Sequence, residues 1–226
     1  MPTIHNGKQV MRPVNTVNFL SSRALNYGYY PLIRGNTAAL FHLPLKNRVT
    51  KKTGASPFTN NVHISIDDLL KGHKPLAIAF LGASNNTGEL IKGLKSLEAD
   101  IQVMGGKLLI LTGVEPRYLQ RALRNHEGLT VFYDEDNTVA ELFGLYDVSN
   151  PLWQWVSGIE RDDIPLPAFY VVSAERQIVY HHIDYALKLY AYNNYQSQPF
   201  VRELLTSVYN TAQQGAYQPI QYKSVS

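Results

Sequence analysis

The residues of this 226-residue chain that are best placed for chemistry form a short polar segment between an apolar run and a helix-forming stretch. The segment consists of Ala83, Ser84, Asn85, Asn86 and Thr87. Asn86 followed by Glu89 is a capping-box arrangement, which predicts that a helix begins here. Because a helix N-terminus favours negative charge, the segment could bind an anion or a small ligand. Capping alone is the simpler interpretation, and it stays open.

The two hydroxyl groups of this segment also raise the question of catalysis. A serine or threonine hydroxyl needs an adjacent base to become nucleophilic, and no histidine lies between residues 82 and 90. The chain contains no cysteine, which excludes a thiol nucleophile, disulfides, thiolate zinc sites and iron–sulfur clusters. Any reaction at this segment would therefore proceed without thiol chemistry.

The densest group of side chains that bind metals is His181, His182 and Asp184. Neighbouring side chains on a strand point to opposite faces, so only His182 and Asp184 share a face. Two ligands are fewer than the three or four of a zinc site. The pattern favours a histidine pair without a metal, and we expect no metal and no other cofactor.

Composition and charge indicate a soluble, globular protein. The hydrophobic fraction is 45% and the charged fraction is 17%, which allows a sizeable core. A net charge of +3 with dispersed basic residues argues against nucleic acid as a partner. The longest apolar run, residues 76–81, is far shorter than the ~20 residues of a membrane span, and no signal-peptide pattern is visible. We therefore expect a cytoplasmic protein that contacts no membrane.

The order of apolar runs and capping signals predicts an α/β protein. Strands are expected at residues 76–81, 107–112, 129–133, 168–172 and 177–182. Helical segments separate the first three strands, so these should be parallel, whereas the last two are joined by a short turn and should be antiparallel. Pro116 and Pro199 are expected to open helices, and Asp136 or Asn137 to cap a short helix that Gly144 ends.

Four stretches between residues 64 and 184 share their pattern with one known family. They are Ile64-Ser-Ile-Asp-Asp-Leu-Leu-Lys-Gly72, Leu76-Ala-Ile-Ala-Phe-Leu-Gly82, Phe132-Tyr-Asp134 with Val139-Ala-Glu-Leu-Phe-Gly-Leu145, and Ile164-Pro-Leu-Pro-Ala-Phe-Tyr-Val-Val172. Together they resemble the AhpC/TSA peroxiredoxins of the thioredoxin superfamily. The resemblance implies a thioredoxin-like central mixed sheet with helices on both faces.

The domain boundaries expected from this resemblance leave both ends of the chain outside the thioredoxin-like domain. Residues 1–60 should form an irregular extension with a strand near 38–43, and residues 61–215 the thioredoxin-like domain. Residues 216–226 should form a tail.

The resemblance fails at the most specific motif of the family. Redox members carry a cysteine in the loop after the first core strand, at or beside a helix N-terminus that stabilises the thiolate. Three alignments of this loop remain open: they place Ala83 with Asn86, Asn86 alone, or Asn85 with Gly88 at the cysteine positions. None supplies a sulfur atom. The resemblance also implies that Pro167, or else Pro165, follows a cis peptide bond and that the chain forms a homodimer or another homo-oligomer.

Aromatic residues complete the candidate site and suggest an interface. Trp153 and Trp155 could wall a pocket above Asn86, or they could anchor a long loop to the core. Eight of the 15 tyrosines lie from Tyr180 onward, which suggests an amphipathic surface suited to self-association.

The leading hypothesis is a peroxiredoxin-like protein that has lost thiol-peroxidase chemistry and acts as a binding or scaffolding module. Its former active-site loop would then bind a small anionic ligand or a protein partner. One alternative is a non-thiol enzyme that holds glutathione or another small anion through Ser84 or Thr87. The other is a purely structural subunit of an oligomer.

Overall fold

Strands and helices alternate through the middle of the chain and are followed by two strands and a helix. The computed structural model describes residues 28–50, 62–81, 87–124, 128–154, 164–185, 187 and 198–216. The elements are β1 (His42–Pro44), β2 (His63–Ser65), α1 (Ile66–Leu70), β3 (Leu76–Leu81), α2 (Thr87–Val103), β4 (Lys107–Thr112), α3 (Pro116–Leu123), β5 (Val131–Tyr133), α4 (Thr138–Leu142), β6 (Ala168–Val172), β7 (Ile178–Ile183) and α5 (Pro199–Ala216), with short 3-10 helices at Leu45–Asn47 and Leu152–Gln154. None of the helices within these ranges is long and apolar enough to cross a bilayer.

The main sheet has the strand order β5-β4-β3-β6-β7. β3, β4 and β5 are parallel to one another, and β6 and β7 are antiparallel, as the sequence predicted. β6 also runs antiparallel to β3, which makes the sheet mixed. All six residues of β3 are buried, which explains its continuous apolar sequence.

The two faces of the sheet carry separate apolar cores. On one face, Ile78 and Phe80 of β3 pack with α1, α4 and residues from the N-terminal part of the chain. On the other face, Ala77 and Ala79 pack with α2, α3 and α5. Side chains alternate between the faces along a strand, so one apolar run serves both cores.

Residues 28–50 pack against the domain and pair with both edges of its sheet. At one edge, the Gly35 N–H donates to the Ile178 oxygen at 2.8 Å and the Ile178 N–H to the Asn36 oxygen at 2.9 Å. At the other edge, the Val49 N–H donates to the Val131 oxygen at 2.9 Å. Unpaired strand edges invite pairing with other chains, so this segment protects the sheet.

The strand expected near residues 38–43 lies instead at 42–44, where it pairs with β2. The difference has a physical cause, because the Ala38 N–H donates to the Arg176 oxygen at 2.8 Å and ties residues 35–38 to the β7 edge. Phe41 and Leu43 enter the same core as β3. The domain boundary expected near residue 60 stays a prediction.

The end of α4 depends on a glycine, as the sequence predicted. Gly144 has a φ of +68°, and a Cβ atom at this position would overlap the carbonyl oxygen of Tyr30. The Leu32 N–H donates to the Phe143 oxygen at 3.0 Å, so the chain at residues 30–32 runs directly beside the end of the helix. Both the conformation and the close approach therefore require glycine.

The interface between β7 and α5 contains a stacked histidine. The His182 ring lies 4.3 Å from the Phe200 ring at an interplanar angle of 6°. Nearby, the Tyr180 hydroxyl donates to the Phe200 oxygen at 3.0 Å. Burial lowers the pKa of His182 to about 4, and His181 adds a smaller effect in the same direction.

Replacing Gly144 with alanine should destabilise the protein strongly. A left-handed residue costs roughly 1–2 kcal/mol without a clash, and the overlap with Tyr30 adds to this, so we expect Gly144→Ala to lower the free energy of unfolding by more than about 2 kcal/mol. Gly35→Ala is the matched control, because Gly35 has a φ of +94° but no atom lies within 4 Å of its added Cβ. If denaturant unfolding showed that the two variants lose the same free energy of unfolding, the proposed clash with Tyr30 would be contradicted.

The stability of the protein should fall as the pH drops from about 6.5 toward 4. The folded pKa of His182 is about 4 and the unfolded value about 6.5, so the unfolded state binds more protons in this window. His182→Phe keeps a ring against Phe200 and cannot titrate, so its free energy of unfolding should depend less on pH. Parallel pH profiles for the two proteins would show that His182 does not contribute.

Candidate functional site

The candidate site lies at the edge of the sheet where β3, β4 and β5 end. Because these strands are parallel, their carboxyl ends meet at one edge, and β6 begins there because it is antiparallel to β3. α2, which has 17 residues, begins at this edge after β3. Three of the buried polar residues lie here: Thr112, Asp134 and Asp184. The edge at the carboxyl ends of the strands is the usual place for ligands in open α/β sheets.

The structure describes three of the eight residues of the predicted site. Ala83, Ser84, Asn85, Asn86 and Trp155 lie outside the described residues. Thr87 is the first residue of α2, as the capping pattern predicted for a helix start here. Trp153 lies in the 3-10 helix after β5 and α4 and is partly exposed. The site therefore stays a prediction, and Thr87, Trp153 and Pro167 are the members of it that the structure describes.

Pro167 is buried and lies directly before β6. Ala168 pairs with Phe80, so the register places Pro167 beside Leu81, the last residue of β3. The Pro167 oxygen accepts a hydrogen bond from the Asp184 N–H at 2.9 Å. This acceptor is therefore already used inside the sheet.

The expected cis bond before Pro167 or Pro165 is wrong, because both peptide bonds are trans. The trans form is favoured by about 0.5–1 kcal/mol for a peptide bond before proline. Here the extended chain also makes a good hydrogen bond, from the Leu166 N–H to the Leu145 oxygen at 2.8 Å. The local contacts thus fit the lower-energy isomer.

Asp134 holds the end of β5 and the start of α4 together. Its carboxylate accepts hydrogen bonds from the Val139 N–H at 3.1 Å and the Ala140 N–H at 3.0 Å. Its own N–H donates to the Thr112 oxygen of β4 at 2.9 Å. Burial raises the pKa of Asp134, and the backbone hydrogen bonds oppose this shift.

The cap of α4 is therefore not the one expected from the sequence. Asn137 occupies the N-cap position with a φ of 51°, but its side chain makes no capping hydrogen bond. Asp136 is exposed. Asp134 lies five positions before Val139 in the sequence. Local capping patterns involve residues closer to the helix, so they do not predict this cap.

A tyrosine on β6 is the polar residue that sequence reasoning missed. Tyr170 has no exposed surface, and its hydroxyl has no hydrogen-bond partner among the described residues. Burial raises its pKa, with a smaller contribution from Tyr185. In the sequence, Tyr170 is one of several large residues in an apolar strand. No pattern around it predicts that its hydroxyl is buried without a partner.

The histidine pair lies on β7, and both rings have contacts within the protein. The His181 Nδ1 accepts a hydrogen bond from the Arg34 N–H at 3.1 Å, while His182 stacks on Phe200. Within the described parts of the chain, no three metal-binding side chains gather at one point. The expectation that no metal binds stays a prediction.

Removing the carboxylate of Asp134 should destabilise the protein. Asp134→Ala should lower the free energy of unfolding by about 2 kcal/mol, because α4 loses its cap and two N–H groups lose their acceptor. Asp134→Asn should cost less. Since the folded state raises the pKa, the wild type should lose stability relative to Asp134→Asn as pH rises above about 4. Denaturant unfolding between pH 4 and 8 measures both effects.

Asp136→Asn is the control for the Asp134 variants. This residue is an exposed acid two positions along the chain, and no capping hydrogen bond depends on it. If Asp136→Asn lowered the free energy of unfolding as much as Asp134→Ala does, the capping role of Asp134 would be contradicted.

Comparison with known proteins finds a similar fold in several peroxiredoxins. No protein-family model and no curated protein matches the chain. AhpC of Enterococcus faecalis matches with a TM-score of 0.54 at 14% identity, over 84% of this chain and 96% of its own. The reduced 2-Cys peroxiredoxin of Plasmodium vivax matches with 0.53 at 12% identity, over 85% and 90%. Thioredoxin peroxidase I of Plasmodium yoelii matches with 0.53 at 13% identity, over 86% and 100%.

At these identities the likeness establishes the fold. The chain has a mixed five-stranded sheet and a long helix after the central strand. This architecture is consistent with the structural matches. The chain therefore has a thioredoxin-like fold of the kind seen in peroxiredoxins, and it contains no cysteine.

Proposed function

We propose that this chain is a binding or scaffolding module that keeps the peroxiredoxin fold without thiol-peroxidase chemistry. One observation carries the proposal: the fold is present, and the chain contains no cysteine. The thiolate is the nucleophile in cysteine-based redox chemistry, and a hydroxyl does not replace it without an adjacent base. A function that needs the shape of the fold, without its sulfur, fits this combination.

The proposed binding site is the loop after β3 together with the residues that flank it. It comprises Ala83, Ser84, Asn85, Asn86, Thr87, Trp153, Trp155 and Pro167. A long helix begins here, and its first N–H groups favour a small anion or the carboxylate of a partner. The buried polar groups Thr112 and Asp184 at the same edge are consistent with a site that holds polar ligands.

We further propose that the protein is cytoplasmic and forms a homo-oligomer. Apolar side chains that line one open cavity between α2 and α5 support self-association. They include Met104, Leu205 and Tyr209, and Tyr209 is 48% exposed. Exposed apolar groups that lie near one another favour protein contacts.

Binding should be visible when the protein is purified gently from its own source and weighed by native mass spectrometry. We expect a stoichiometric extra mass on the monomer or oligomer. The ligand class is then tested by thermal unfolding with inorganic phosphate and with glutathione, because a ligand that binds the folded state raises the unfolding temperature. Ser84→Ala should reduce this shift, and Ser149→Ala, which removes a hydroxyl from an exposed turn, should not.

Three outcomes would change the assignment. A clean oligomer without added mass or ligand shift would favour the purely structural subunit. A shift with glutathione alone, abolished by Ser84→Ala or Thr87→Ala, would favour the non-thiol enzyme. Reduction of peroxide at rates comparable to a cysteine-containing relative would overturn the proposed loss of peroxidase chemistry.

A further inference from the structure

An open cavity of about 590 Å³ lies between the end of α2 and the first three turns of α5. Asp100 and Met104 form one wall of this α2–α5 groove, and residues of α5 form the other. Both helices pack on the same face of the sheet. Arg202 and Thr206 line the groove with exposed side chains, so it opens toward solvent.

An apolar stripe on α5 runs from the core into the groove. Val201, Leu205 and Tyr209 follow one another at intervals of four residues, which places them on one side of the helix. Val201 is buried, Leu205 is partly buried and Tyr209 is 48% exposed. Met104 lines the opposite wall. α5 therefore presents apolar surface beyond the part that covers the sheet.

The charges around the groove are few and balanced. Its described lining contains one acid, Asp100, one base, Arg202, and neither lysine nor glutamate. The buried centres of protein–protein interfaces are likewise rich in tyrosine, methionine and arginine and poor in lysine and glutamate. Among the described residues, no carboxylate forms an ion pair with the Arg202 guanidinium. Arg202 can therefore take an acidic partner from another chain.

The placement of the two charges makes the groove complementary to itself. In a two-fold dimer, the same surface of each chain faces the other. A surface with one sign of charge would repel its copy, but this groove has a carboxylate on the α2 wall and a guanidinium on the α5 wall. Asp100 also has a contact within its own chain, and a carboxylate has enough acceptor positions for both.

We propose that two copies of this chain pair through their α2–α5 grooves about a two-fold axis, with Arg202 of each copy bound to Asp100 of the other. This assignment rests on the homo-oligomer proposed above and names its surface. The apolar stripes supply most of the attraction, and the two charge pairs fix the register. The groove lies at the opposite end of α2 from Thr87, so pairing leaves the proposed ligand site open.

A crosslinking experiment tests whether this surface forms the contact. The chain has no cysteine, so a single introduced thiol reports on one position. Thr206→Cys lies in the groove, and Ser149→Cys, in an exposed turn outside it, is the matched control. With a short bismaleimide crosslinker, Thr206→Cys should give at least about tenfold more covalent dimer, because a two-fold axis brings equivalent residues of the groove together.

A pair of charge reversals tests the register. Arg202→Glu and Asp100→Arg should each weaken self-association at least about tenfold, because the two-fold axis repeats every repulsive contact. A mixture of the two variants should regain the affinity of the wild type, since opposite charges then meet at both positions. Lys92→Glu is the control for Arg202→Glu: it changes the net charge equally on an exposed side chain of α2 outside the groove, and it should leave the affinity unchanged. Sedimentation equilibrium measures each dissociation constant.

The outcomes separate this inference from the proposed homo-oligomer. A wild-type protein that stays monomeric at all concentrations would overturn both. A wild-type dimer that crosslinks equally at the two thiol positions, or a mixture no tighter than the single variants, would overturn the α2–α5 interface and leave the homo-oligomer standing. Growth beyond the dimer through the groove would also overturn it, because an interface of this symmetry closes at two copies.

Discussion

The burial of β3 on both faces and along both edges is the constraint on which the other elements depend. A strand inside the protein has no water to satisfy its N–H and carbonyl groups, so each group needs a neighbouring strand. β4 meets this need in the parallel direction and β6 in the antiparallel direction. The parallel partner requires a crossover, and α2 supplies it. The start of a long helix at the end of the central strand therefore follows from how β3 is paired.

The same constraint explains why polar groups gather at one edge of the sheet. Thr112, Asp134 and Asp184 all lie where strands end, and backbone groups there lack strand partners. Asp134 satisfies two N–H groups of α4 with its carboxylate, and the Thr112 oxygen receives the Asp134 N–H. Here the same edge offers hydrogen-bonding groups and a helix terminus without a nucleophilic sulfur.

The sequence predicted the parts of the fold that depend on local patterns. The apolar run at residues 76–81, the glycine that ends α4 and the prolines that open α3 and α5 all have short-range signals, and the structure contains each of them. The Asp134 cap was missed because its geometry depends on the turn between β5 and α4. Pairing of residues 35–38 with β7 was missed because it joins distant parts of the chain. The candidate loop was identified from its capping pattern, but its contacts depend on residues outside the described ranges.

The position of residues 28–50 on both sheet edges also orders the events of folding. Thr37 and Gln177 are 140 positions apart in the chain, and Thr50 and Leu129 are 79 apart. On a ribosome that adds ~5–20 residues per second, the segment emerges roughly 7–28 s before its β7 partner exists. The first part of the domain to be synthesised is thus among the last to be fixed. Until then, the nascent chain exposes strand edges that other polypeptides can pair with, a period in which chaperones would matter most.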